Sequence, residues 1–120
     1  MEEIRIERVY ELPDSQPEGR SFLVERLWPR GKKKEDVQMD AWLKDVAPST
    51  ELRTWFGHDP AKWPEFRRRY RAELDSNPEA LKPLFEAARE GDVTLLYSAK
   101  DTEHNAALVL QGYLEERLKR

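Results

Sequence analysis

The chain predicts an α/β fold: a single small three-layer domain of about four strands with helices packed on them. Three observations carry that expectation. Residues 93–97 (V-T-L-L-Y) form a short near-continuous apolar run after the breaker Gly91-Asp92, the pattern of a strand covered on both faces. Strand-like segments lie near both ends of the chain, and helical periodicity fills much of the stretch between them. At 120 residues the chain is one domain, residues 1–120, and its four Trp, four Tyr and four Phe supply core volume.

Taken in order, Glu3 to Tyr10 (E-I-R-I-E-R-V-Y) alternates, with Ile4, Ile6 and Val9 on one side and Arg5 and Glu7 on the other, which predicts a strand. Glu11 to Arg20 holds two prolines and a glycine and is expected to be loop. Ser21 to Trp28 (S-F-L-V-E-R-L-W) predicts a second strand, closed by Pro29 because a residue before proline avoids the helical region. Arg30-Gly31-Lys32-Lys33-Lys34 is a basic turn. From Lys34 to Ala47 two periods compete. Met39, Trp42, Leu43 and Val46 fit one helical face, while residues 40–45 also alternate as a strand would. The reading adopted is one helical turn near Lys34–Gln38, then a strand through Asp40–Val46.

Pro48-Ser49-Thr50-Glu51 predicts a helix start, with a hydroxyl cap and an acid in the first turn, and Gly57 ends that helix after Phe56. Ala61 to Ser76 is a helix with Trp63, Phe66, Tyr70 and Leu74 inward and Arg67, Arg68 and Arg71 outward. Asn77-Pro78 starts another, with a stripe of Leu81, Leu84, Phe85 and Ala88. Pro83 lies past its first turn and predicts a kink. After the strand at 93–97, Thr102 is expected to cap a last helix whose stripe runs from Ala106 to Leu118.

Composition narrows the function. Hydrophobic and charged residues each make up 38% of the chain and the net charge is −3, so no global attraction to nucleic acid or anionic membrane exists. The absence of cysteine removes disulfides, thiol nucleophiles and thiolate metal sites. The start M-E-E-I-R-I has no apolar signal region, and no run approaches the roughly 18–20 residues of a membrane span. The expected location is the cytoplasm. With two histidines far apart, no metal site is expected, and no nucleotide-loop or nucleophile-elbow pattern calls for a cofactor.

Two polar clusters carry the candidate chemistry. One follows the strand at 93–97, where ligands of open α/β sheets sit beside helix N-termini. It offers Ser98, Lys100, Asp101, His104 and Asn105. His104 is the proton carrier nearest neutrality, with Asp101 and Lys100 as catalytic partners; the plainer reading is a helix-capping patch. The other is Arg26-Leu27-Trp28-Pro29-Arg30-Gly31. There Arg26 and Arg30 offer forked donors for phosphate or carboxylate, Trp28 and Trp42 offer walls, and Lys44 adds charge. The plainer reading makes Trp28 core, pairs Arg26 with Glu25 or Asp40, and leaves Lys32–Lys34 as solvated surface. His58-Asp59 reads either as a second proton-active pair or as an Asp-Pro turn whose Asp caps the next helix. The arginines at 67–71 form a local basic face, read as solvated surface offset by Glu65, Glu73 and Asp75 or as a phosphate-contacting strip.

Five linked motifs, R-L-W-P-R-G at 26–31, A-W-L-K-D-V-A-P-S at 41–49, E-L-R-T-W-F-G-H-D-P at 51–60, F-R-R-R-Y-R-A-E-L at 66–74 and L-L-Y-S-A-K-D-T-E-H-N-A-A at 95–107, resemble the YeaO-like branch of the domain-of-unknown-function family 488. The resemblance covers nearly the whole chain. It implies a compact α/β domain of small bacterial or archaeal cytosolic proteins and favours the strand through Asp40–Val46, but it supplies no reaction. More distant relatives carry a Cys-His-Arg arrangement after the strand matching Leu95–Tyr97. The turn S-A-K-D-T-E-H-N lacks that Cys and that Arg, so thiol chemistry does not carry over. Ser98 also stands where a glycine is common, which makes the turn less permissive.

The function expected from these residues is binding of a small anionic ligand, phosphate-bearing or not, with or without turnover. Arg26, Arg30 and Lys100 would clamp charge, Trp28 and Trp42 form walls, and His104 with Asp101 handle protons. The rivals are a nucleic-acid-binding module using Arg67–Arg71 and Lys32–Lys34, and a protein-interaction module without catalysis. The leading expectation requires Arg26 and His104 to meet in space.

Overall fold

A computed structural model describes residues 3–11, 19–37 and 39–118. Its elements are β1 (Ile4–Arg8), β2 (Arg20–Leu23), β3 (Ala41–Trp42), α1 (Thr50–Phe56), α2 (Trp63–Asp75), α3 (Pro78–Glu90), β4 (Val93–Tyr97) and α4 (Ala106–Leu118). Short 3-10 turns occupy Val9–Glu11, Lys34–Asp36, Lys44–Val46 and Pro60–Lys62. The four strands form one parallel sheet in the order β1-β4-β2-β3, with Leu95 between Ile6 and Phe22, and Leu23 beside Trp42.

The near-continuous apolar run of β4 follows from its place. Every residue of β4 is buried, because it has strands on both sides and packing on both faces. Val93, Leu95 and Tyr97 join Ile4, Phe22 and Val24 against all four helices, in one core that includes Phe56, Phe66, Tyr70, Leu84 and Leu110. Leu96 and Leu23 point the other way, to a smaller cluster with Val9 and Val37 that Trp28, Met39 and Trp42 complete. All four helices therefore lie on one face, and the layer on the other face is made of loop, short turns and two indoles.

Several expected boundaries move, each for a local reason. β1 ends at Arg8 because Val9 turns inward, almost fully buried, and starts a 3-10 turn. β2 ends at Leu23, with one further ladder bond from Val24 N to Leu96 O at 3.1 Å. Glu25 and Arg26 then leave the sheet for partners elsewhere. The strand expected over Asp40–Val46 shrinks to Ala41–Trp42, flanked by bonds from Asp40 N to Ser21 O (2.7 Å) and Leu43 N to Leu23 O (2.8 Å). An edge strand has one neighbour to hold it, and the chain curls at Lys44–Val46 once β2 has ended. The helical turn expected near Lys34–Gln38 is a 3-10 turn over Lys34–Asp36; Gln38 lies outside the described residues, as does the part of the expected loop at 12–18.

The helix signals fare better. Ser49 caps α1 by accepting from Leu52 N at 3.1 Å, and Gly57 ends it in the left-handed region (φ 53°). Asp59 accepts from Ala61 N at 3.0 Å, as an Asp-Pro turn requires, so α2 proper begins at Trp63. Pro78 is in the first turn of α3, whereas the Asn77 side chain donates to Asp45 O instead of capping. α3 continues through Pro83 to Glu90. The capping role expected of Thr102 belongs to Asn105, whose Oδ1 accepts from Leu108 N at 3.0 Å. Asp101 claims the preceding turn, so α4 starts at Ala106. Among the described residues no helix is long and apolar enough to cross a membrane.

Candidate functional site

The carboxyl ends of β2 and β4 lie side by side. The chain leaves β2 towards the indole-covered face, through Trp28 and Val37, and leaves β4 towards the helical face, through α4. Adjacent strands whose exits diverge open a crevice between them. That crevice is where the two polar clusters meet.

From the β2 side, the carboxylate of Glu25 reaches across and accepts from Ser98 N at 2.6 Å and from Ser98 Oγ at 3.0 Å. Arg26 folds under the residues before α1, donating from Nε to Pro48 O (3.0 Å) and from Nη2 to Ala47 O (3.2 Å). From the β4 side, Asp101 organises the turn. Its Oδ1 accepts from Glu103 N (2.9 Å) and His104 N (3.0 Å), and its Oδ2 meets His104 Nδ1 at 3.0 Å. An ionised carboxylate only accepts, so Nδ1 carries the ring proton and Nε2 is the nitrogen left for other partners. The imidazole is also held edge-on against Trp63, with ring centroids 5.4 Å apart. Asn105, buried, donates to Asp101 O while capping α4.

These groups line a cleft of about 60 Å³ walled by Phe56 and Tyr97 and carrying Glu25, Arg26, Arg53, His58, His104 and Asn105. Ala106 and Ala107 also line it. They are the first two residues of α4, and their N–H groups have no acceptor among the described residues. The positive end of a thirteen-residue helix thus borders the cleft. Burial holds the Glu25 carboxyl above its ordinary value, against the lowering effect of the Ser98 N–H, the Ser98 hydroxyl and the more distant Arg53 and His58. Asp101 is shifted the opposite way, first by the Glu103 N–H and then by His104.

Of the candidate residues, Arg26, His104 and Asn105 line the cleft, Asp101 backs His104, and Ser98 holds Glu25. The others are elsewhere. Lys100 is exposed and does not line the cleft. Arg30 is exposed, and its carbonyl accepts from Tyr10 Oη at 2.8 Å. Trp28, Trp42 and Lys44 belong to the opposite face of the sheet. The indoles meet edge-to-face at 5.4 Å, their Nε1 atoms donate to Lys32 O and Glu25 O, both at 2.6 Å, and Lys44 Nζ sits over the Trp42 ring. The walls expected of those indoles are supplied by Phe56 and Tyr97. Alternation explains the change: Leu23 and Trp42 pair across β2 and β3, and Leu23 faces away from the helices.

Two charged lining residues, Glu25 and Arg53, are not among the expected site residues. The sequence offers Glu25 only as a salt-bridge partner of Arg26; a carboxylate two residues beyond the end of β2 is the available signal. Arg53 has none, since an arginine on a short helix reads as surface. Three of the four arginines in the basic strip of α2 are paired: Arg68 and Arg69 bond to Glu65 (2.6 and 2.8 Å) and Arg71 to Glu116 (2.5 Å), while Arg67 is exposed. Among the described residues no group of three or more His, Asp or Glu is placed to hold a metal ion.

A small parallel α/β domain with a narrow, mixed-charge cleft at the switch between its two central strands is the class of protein that fold and site define. The chain belongs to the DUF488-N3i family, described as the inactive DUF488-N3 subclade, whose model matches residues 3–120. It is 46% identical over 111 residues to the uncharacterised protein YeaO of Escherichia coli, covering 92% of this chain and 96% of that one. It is 39% identical over 115 residues to the uncharacterised protein Rv3073c of Mycobacterium tuberculosis, covering 95% of each, and equally to Mb3100c of Mycobacterium bovis. It is thus a YeaO-like member of the domain-of-unknown-function family 488. No solved structure matches the chain.

Proposed function

We propose that this protein is a cytoplasmic binding domain for a small anionic ligand, held without turnover in the cleft between the ends of β2 and β4. The observation that carries the reading is the meeting of Arg26 and Arg53 with the open N-terminus of α4 around one cavity of about 60 Å³. The Arg53 guanidinium and free helix N–H groups are standard donors for carboxylate and phosphate oxygens, and Arg26 adds its charge and Nη1, its Nε and Nη2 being held by Pro48 O and Ala47 O. The cleft is small, so the donors address the anionic group itself. Binding is favoured over catalysis because the matching subclade is described as inactive, and because Lys100 stands apart from His104 and Asp101.

The test is a thermal-shift and calorimetric screen of carboxylates, phosphosugars and nucleotides against the wild type, Arg26→Ala and Arg53→Ala. Arg26 also holds two main-chain carbonyls, so its loss mixes folding with binding. Arg53 is exposed and has no ion pair among the described residues, which makes its replacement the cleaner probe. The expected result is stabilisation of the wild type by at least one anion and a weaker response from Arg53→Ala. A panel with no stabilising anion, or an Arg53→Ala protein responding like the wild type, overturns the reading.

A further inference from the structure

The cleft holds one group that an anion reader would not want. Glu25 presents a carboxylate within the same small cavity as the anion donors. Its Oε1 is engaged by both groups of Ser98. Its Oε2 accepts no hydrogen bond from any described residue, and no Lys, Arg or His of the described residues lies within ion-pair distance of it. Arg53 and His58 act on it only through space. A bare anion entering here would meet a like charge in a partly desolvated site, which raises the cost of its binding. The arrangement is balanced only when the incoming molecule brings a cation or strong donor of its own.

We propose that the ligand is a small zwitterion, an α-amino acid or aminophosphonate in type, with its ammonium group on Glu25 and its anionic end on Arg53, Arg26 and the N–H groups of Ala106 and Ala107. This rests on the anion-site reading above and names the ligand class for it. The cleft is small, so short zwitterions with charges a few bonds apart are the first to test. Charge-assisted hydrogen bonds of this kind are the strong ones. They form at both ends of one molecule, so matching the pair is what sets specificity.

The experiment uses matched pairs that differ only by the amino group: acetate and glycine, propionate and β-alanine, methylphosphonate and aminomethylphosphonate, titrated calorimetrically into the full chain at neutral pH. The amino member of at least one pair is expected to bind at least about tenfold more tightly, the effect of one charged hydrogen bond. In Glu25→Gln the ratio should collapse towards one, with the amino member weaker and the plain acid tighter, because the repelling charge is gone. The amide introduced by Glu25→Gln retains an oxygen for Ser98, so the variant should fold, and a thermal melt checks it. Equal binding within every pair overturns the zwitterion assignment and leaves the anion site standing. A preference for the amino member that survives Glu25→Gln overturns it too. If no member of any pair binds while larger anions do, the zwitterion assignment fails alone; if no anion of any kind binds, both readings fail.

Discussion

The indole of Trp42 donates from Nε1 to the main-chain oxygen of Glu25 at 2.6 Å, while the Glu25 side chain is held on β4's end by Ser98 N at 2.6 Å. The acid at the cleft is thereby fixed from two directions, by an edge strand through its backbone and by a central strand through its carboxylate. Trp42 lines no part of the cleft, but it positions a residue that does.

Trp42→Phe keeps most of the ring packing and removes that donor. The expected loss is about 1 kcal/mol, typical of one hydrogen bond whose partner is left partly buried. Chemical denaturation of wild type and variant measures it, and no change in midpoint would show that the bond contributes nothing net.

Glu25 gives a pH dependence with a definite sign. Its carboxyl is held above the ordinary value of 4.5, mainly by burial, so the fold favours the protonated form. Stability from this group is full below 4.5 and declines as pH rises through the folded-state value. Asp101 runs the other way: its lowered carboxyl stabilises the fold above its ordinary value of 3.8, and that contribution is lost on further acidification. The two windows do not overlap. Melting temperatures of Glu25→Gln and wild type should therefore converge near pH 4.5 and separate towards neutrality, with the variant the more stable. A constant difference across that range would contradict the assignment.

The start of α4 offers a comparison between two neighbouring polar residues. Asn105→Ala removes the cap on Leu108 N and the bond to Asp101 O, and should cost about 1–2 kcal/mol. Thr102→Ala, on an exposed residue, should stay within about 0.5 kcal/mol. Equal losses in thermal unfolding would mean that the helix begins earlier than Ala106.

Gly19 adopts φ +74°, and a Cβ there would overlap the carbonyl oxygen of Asp92, where Arg20 N is anchored at 3.0 Å. Gly19→Ala combines left-handed strain of about 1 kcal/mol with a push that separates the starts of β2 and β4. The melt should fall by more than strain alone predicts. Amide exchange at Arg20 and Val93 should rise with it, and unchanged exchange there would exclude the push.

Much of the architecture is readable along the chain because its signals are local. Ser49, Gly57, Asp59 and Pro78 act on backbone groups within a few residues of themselves, and each does what its chemistry implies. Thr102 misleads because Asp101, one residue earlier, competes for the same kind of donor. The sequence overstates the lengths of β2 and β3 for a different reason: strand ends depend on whether a neighbour is still present, and among the described residues Trp42 has only β2 beside it.

The site divides along the same line. That Arg26 and His104 meet follows from both lying just past strand ends, and in an α/β domain such ends gather on one side. Which side chains share a face with them does not follow, because it depends on which neighbour each strand takes and on the direction its exit turns. Trp28 and Trp42 go to the far face by that rule, while Glu25, just past β2, and Arg53, on α1, are brought to one cleft from separate elements. Residue order carries short-range hydrogen bonding and hydrophobic period; pairing between distant segments is a property of the packed sheet, and the charge balance of the cleft exists only there.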